Sequence, residues 1–282
     1  MAPSGLAILL GAGPTTGAGI ARVLARPSQG NLAVALLSRS GDAALADRLS
    51  QEAGGGVLKA FQSDTTETSL NDAFREVRTW AASLVDGGGL KLQLAIWSIK
   101  HSHKTAFEDE TSSRFGDSLQ VYVTGAMVFS QLALKWFLDQ YPDDNTSVSG
   151  AGDPGSGEEH EMVKKGTLIF TGTLGALRTN PGYAAYGAGR AGVRMLAQSL
   201  AREYSARGVH VVHAIANGGI VDADASSAAD GDDAATKEKR AKVLLGEKIR
   251  AESVGRLYLD CMRQSCDLWV HELDMRPARE KF

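Results

Sequence analysis

Cysteine is nearly missing from this sequence: Cys261 and Cys266 are the only two among 282 residues. Two thiols five positions apart, in a stretch patterned as helix, make no disulfide framework and suit a reducing compartment. An excess of one charge is missing too. Thirty Lys and Arg face 33 Asp and Glu, for a net charge of −3 and a pI of about 6.1, so nothing steers the chain toward nucleic acid or an anionic membrane. The N-terminal "MAPSGLAILLGAG" has no basic leader, and its apolar run is only a strand long. Neither a signal peptide nor a membrane span is expected. The predicted location is therefore the cytoplasm, where the sequon at Asn145 carries little weight. No internal repeat stands out.

What is present reads as a globular protein, 43% hydrophobic and 22% charged. The length suits one large domain, 1–282, better than two. Short apolar runs at Leu6–Leu10, Leu32–Leu37, Val57–Phe61, Leu90–Trp97, Leu168–Phe170 and Val209–Ile215 predict buried strands. Helical stripes lie between them, such as Leu70, Phe74, Val77, Ala81 and Leu84, and Pro27 should end the first helix. Repeated βα alternation implies an α/β fold, a parallel sheet with helices on both faces. Two stretches break the pattern. Residues 141–165, rich in Gly, Ser and acid, are expected to be a mobile insertion. Residues 222–245, opening "DADASSAADGDD", follow the last main strand and are either a lid or a plain solvated loop.

The first strand runs into "GAGPTTGAGIARVLA", a strand, glycine-rich turn and helix that together suit a dinucleotide pyrophosphate. Gly13, Gly17 and Gly19 miss the G-x-G-x-x-G fingerprint by one residue and have instead the spacing of the short-chain dehydrogenase/reductase family. The second strand ends "LLSRSG". Arg39, between Ser38 and Ser40, can pair with a 2′-phosphate that a carboxylate would repel, which predicts NADP(H) as cofactor. Asp64 and Thr65 follow the third strand, and Asp64 matches the family position that holds the adenine amino group.

The resemblance extends through "GTLIFTGTLGALRTNPGYAAYGAGRAGVRMLAQSLAREYSARGVHVV". The chain resembles a short-chain dehydrogenase/reductase, which implies a Rossmann-like doubly wound sheet. Its tail, "WVHELDMRPAREKF", is similar to that of an atypical branch, some of whose fungal members act in biosynthesis. The family works with an Asn-Ser-Tyr-Lys set. By resemblance Tyr186 is the proton donor and Thr173 stands for the serine. Arg190 takes the lysine position and Tyr122 the asparagine position. A guanidinium keeps the charge but cannot relay a proton, and a lysine is expected to replace it without loss of cofactor affinity. Tyr183, one helical turn earlier, is the rival acid. The resemblance also places Thr16, Ile20, Trp97 and Ile220 at the cofactor, along with Tyr186 and Arg190. The family's Pro-Gly after the sixth strand is here Asn217-Gly218. His101, His103 and Lys104 should form a loop at the cofactor rim. A His-x-His pair can suggest a metal, but no third ligand is evident and none is expected. Taken together these features predict an NADP(H)-dependent reductase of a carbonyl or imine on a small molecule. The alternatives are a cyclase or isomerase on the same fold and a non-catalytic dinucleotide sensor. Family members pair through the long helices near 114–139 and 183–207. Apolar residues there, Trp136, Phe137, Met195 and Leu196, predict a homodimer or homotetramer.

Overall fold

The computed structural model describes residues 2–85, 89–141, 162–225 and 234–280. Most of the expected insertion and residues 226–233 of the expected lid lie outside these residues. Seven parallel strands form the main sheet. They are β1 (Gly5–Leu10), β2 (Leu32–Ser38), β3 (Leu58–Gln62), β4 (Leu92–Trp97), β5 (Gly166–Thr173), β6 (Val209–Ala216) and β9 (Glu272–Met275), in the order β3-β2-β1-β4-β5-β6-β9. Two-residue strands β7 (Ile220–Val221) and β8 (Ile249–Arg250) pair separately. The order reverses between β1 and β4, and that switch point opens a crevice at the carboxyl ends of the strands.

Strand alternation decides which residues meet which helices. Leu6, Ile8 and Leu10 face a layer made by α3 (Glu67–Ser83), α5 (Gly125–Asp139) and α6 (Ala184–Tyr204). Ala7 and Leu9 face α1 (Thr16–Ala25), α2 (Ala43–Glu52) and α8 (Ala251–Arg263). The stripe Leu70, Phe74, Val77 and Ala81 is buried as expected, and α1 ends at Ala25, two residues before Pro27. Trp136 and Phe137 are 5% and 0% exposed. They fill the core rather than an outer face, so the apolar surface of the two long helices reduces to residues such as Met127 and Met195.

Helix α4 (Ser112–Leu119) continues through a π-helical turn, Gln120–Thr124, into α5. The whole run, Ser112–Asp139, is long and apolar enough to cross a bilayer, yet 56% of its most apolar window is buried, as in the core helix of a packed domain. The short helix α7 (Ala234–Leu244) precedes β8.

Buried charge ties the second layer together. Arg22 of α1 is 1% exposed and contacts Glu52 of α2 at 2.7 Å, Glu252 of α8 at 3.2 Å, and Asp222 just after β7. Arg26 reaches Glu252 at 3.0 Å. Burial opposes ionisation of Glu252, but hydrogen bonds from Arg26 and Arg22 outweigh it and hold the carboxyl below its ordinary range.

Candidate active site

A cleft of about 680 Å³ opens over the carboxyl ends of β1, β4, β5 and β6. Its floor is the loop from Gly11 to Gly17. Gly11 has φ +91°, and a side chain there would collide with the Ser98 carbonyl. At Gly13 a Cβ would meet nothing within 4 Å, which leaves a cradle open to the cleft. Helices α2, α3 and α4 are each capped by a side chain, as α2 is by Asp42, which accepts from the Leu45 N–H at 3.0 Å. Helix α1 is not. Thr15 makes no side-chain cap, and the first turn holds no acid. The Ala18 N–H donates to the Gly13 carbonyl at 2.9 Å, and, among the described residues, the N–H groups of Thr16 and Gly17, with the helix dipole, are left for an anion. The residues present therefore fit a dinucleotide pyrophosphate, with Gly13, Thr16 and Gly17 beside it and Ile220 across the cleft.

Other expected cofactor residues stand elsewhere. Gly19 faces Ala251, where a Cβ would collide, so it serves the close packing of α1 on α8. Ile20 and Trp97 are both 0% exposed. The Trp97 ring packs against Phe129 in the core, with centroids 5.5 Å apart, so the expectation that it contacts cofactor is corrected. Ser38 and Arg39 end β2 beyond the cleft. Arg39 is exposed and makes no ion pair among the described residues. The Ser63 N–H donates to the Ser38 carbonyl at 2.9 Å, which brings the β2 and β3 ends together. Asp64 is exposed there and accepts from the Thr66 hydroxyl at 2.6 Å and N–H at 2.8 Å. Those bonds hold its carboxyl below the ordinary range. Thr65 is half-buried beside Gly125.

At the other end of the cleft, β5 and α6 present a hydroxyl pair. Thr173 Oγ1 and Tyr186 Oη lie 2.5 Å apart, and both residues line the cleft. Tyr183 lines it as well, its ring 6.1 Å from that of Tyr186. Of the two tyrosines, Tyr186 is the one in contact with Thr173.

Arg190 is 3% exposed. Its Nη1 donates to the Thr171 carbonyl at 3.0 Å and its Nη2 to the Ile99 carbonyl at 2.9 Å, so it clamps β5 to the loop after β4. Its guanidinium also lies 4.4 Å from the Tyr122 ring centre and 5.3 Å from that of Tyr186. Tyr122 is wholly buried and does not line the cleft. Its hydroxyl accepts from the His101 N–H at 2.7 Å and donates to the His101 carbonyl. Burial pushes its phenol above the ordinary value, against the Arg190 charge. The expectation of Tyr122 as a catalytic residue is corrected: it is a positioning residue for the loop after β4. Gly189 makes this possible, because a Cβ there would lie 2.7 Å from the Tyr122 ring. The glycine and arginine of "YGAGR" are thus both fitted to the tyrosine at position 122.

The 101–104 loop holds no metal-like cluster. His103 pairs with Glu110 at 2.6 Å, and no group of three His, Cys, Asp or Glu among the described residues could hold an ion. The sequence reading missed several residues. Lys100, Arg178 and Asn180 line the cleft. Asn217 also lines it, although it is 3% exposed, and its amide oxygen, oriented to satisfy the pair, accepts from Arg276 at 2.8 Å. The "MRP" of the tail therefore braces the segment that replaces Pro-Gly. Arg-Pro in the tail was the only signal, and its partner is 59 positions away.

A family model described as enoyl-(acyl carrier protein) reductase matches residues 156–262. A search of curated proteins finds no match. Among solved structures, a short-chain dehydrogenase from Rhodopseudomonas palustris superposes with a TM-score of 0.68 at 20% identity, covering 96% of this chain and 98% of the other. An alcohol dehydrogenase from Thermococcus sibiricus, complexed with 5-hydroxy-NADP, gives 0.69 at 16% identity, covering 98% of each chain. A metagenomic short-chain oxidoreductase in complex with NADP gives 0.68 at 14%, covering 99% of each. At these identities the shared property is the fold, and the segment that the family model matches spans β5 and α6 and runs into α8.

Proposed function

We propose that the protein is an NADP(H)-dependent reductase of a carbonyl group on a small molecule. The observation that carries this reading is the Thr173–Tyr186 hydroxyl pair, 2.5 Å apart, opening on the same cleft as the uncapped N-terminus of α1. When bound, the cofactor supplies hydride. The chain's residues do the rest. The α1 N-terminus and Gly13 to Gly17 hold the pyrophosphate, and Arg39 meets the 2′-phosphate. Thr173 orients the substrate oxygen, and Tyr186 gives it a proton. Arg190 and Tyr122 fix the loop after β4 that walls the site. A permanently cationic iminium is the weaker substrate, because Lys100, Arg178 and Arg190 line the cleft and no Asp or Glu among the described residues does. The NADP-bound relatives support the choice of cofactor by analogy.

The test is NADPH oxidation across aldehydes, ketones and cyclic imines, paired with calorimetry of NADPH and NADH. NADPH should bind at least about tenfold tighter, or roughly 1.4 kcal/mol, and Arg39→Asp should erase the difference. Tyr186→Phe should lower carbonyl reduction by on the order of 10²–10⁴ while NADPH still binds. Equal affinity for the two cofactors would remove the NADP assignment. Unchanged turnover in Tyr186→Phe would remove the acid. Pairing of two or four copies belongs to the same proposal, resting on Met127 and Met195, which are 39% and 53% exposed. A monomer mass by light scattering would remove it.

A further inference from the structure

Charge around the cleft is one-sided. Lys100, after β4, and Arg178, after β5, both line it, and both are exposed. Neither makes a side-chain hydrogen bond or ion pair among the described residues. No Asp or Glu among those residues lines the cleft. Glu280 comes close to the wall at Gly218, after β6 rather than in the two loops that bear the cations. Glu110 is engaged by His103. Lys104 adds a further cation 6.0 Å from the Tyr183 ring. Cofactor phosphates do not account for these charges. The pyrophosphate has the α1 N-terminus, and Arg39 stands at the far end, past β2. Lys100 and Arg178 instead share the cleft with Tyr186, and the neutral donors Ser102, Thr179 and Asn180 line it too.

We infer that the substrate carries an anionic group, a carboxylate or a phosphate ester, which Arg178 and Lys100 hold while Tyr186 addresses the carbonyl. This rests on the reductase reading of the site. Two unpaired cations facing one cleft attract an anion and repel a cation, and a guanidinium fork takes either oxyanion in a bidentate manner. The cleft of about 680 Å³ is in the range that takes small-molecule ligands.

The experiment measures binding rather than turnover. The protein saturated with NADP⁺, which carries no hydride to transfer, is titrated by calorimetry with para-carboxybenzaldehyde, its methyl ester, and para-formylphenyl phosphate. At least one acid should bind at least about tenfold tighter than the ester, and which one does identifies the oxyanion. Arg178→Gln should remove that preference and leave NADP⁺ affinity unchanged, and Arg178→Lys should restore part of it. An ester that binds as well as both acids overturns the inference. So does failure of all three to bind, or a preference that survives Arg178→Gln. If NADP⁺ itself does not bind, the reductase reading fails separately, and the same three titrations on the free protein still decide the charge preference.

Discussion

Arg190 contributes through two main-chain carbonyls, on Thr171 and Ile99, more than through its charge alone. An ammonium at the end of a lysine is a point donor and cannot span both carbonyls as a planar fork does. Arg190→Lys should lower unfolding stability by roughly 1.5–3 kcal/mol, the range for a lost hydrogen bond to a charged group, as measured by urea unfolding. Unchanged stability would show that the clamp is dispensable. The position of Arg190 beside Tyr186 was legible in "YGAGR". The clamp was not, because it depends on a carbonyl 91 residues away. Trp97 illustrates the opposite error. The family resemblance placed it at the cofactor, but strand alternation turns the ring into the core.

Strand β6 carries a different liability. His210 and His213 are 0% and 1% exposed, and burial pulls both imidazoles down to about 4. His210 still reaches the Val270 carbonyl at 2.9 Å. Neither His213 nitrogen has a hydrogen-bond partner; Nδ1 stands 3.4 Å from Glu272, close enough for charge but not a formed bond. Unfolded imidazoles titrate near 6.5, so between about pH 6.5 and 4 the unfolded chain binds more protons. Stability from these residues is intact above that window and is lost as pH falls through it. Each contributes on the order of 3 kcal/mol by pH 4. His213→Gln should flatten the fall in melting temperature across this window. An unchanged slope would show that His213 is accessible to protons in the folded state.

At the scale of the molecule, six strands of the main sheet were legible to within a few residues, because buried parallel strands read as unbroken apolar runs. The seventh, "ELDM", was not. As a four-residue edge strand it needs no such run. The buried cluster around Arg22 was equally hidden, since its partners lie 30, 200 and 230 positions away. Removing the cation leaves Glu52, Asp222 and Glu252 buried with their charges poorly compensated. Arg22→Met should cost about 3–5 kcal/mol, as measured by denaturant unfolding at neutral pH. A loss below about 1 kcal/mol would mean that water reaches the cluster.

That cluster also sets an order of events during synthesis. When residues 1–215 have left the ribosome, β1 to β6 can already pair, but Arg22 has only Glu52 to meet it. Asp222 and Glu252 arrive later, and with them α8, whose residues Val254, Tyr258 and Leu259 cover the apolar face beside α1. Until then the first helix keeps an exposed greasy side and an underpaid cation. Ribosome-bound chains stalled before residue 222 should therefore remain protease-sensitive at α1, and protection of α1 in such chains would show that the later partners are not needed.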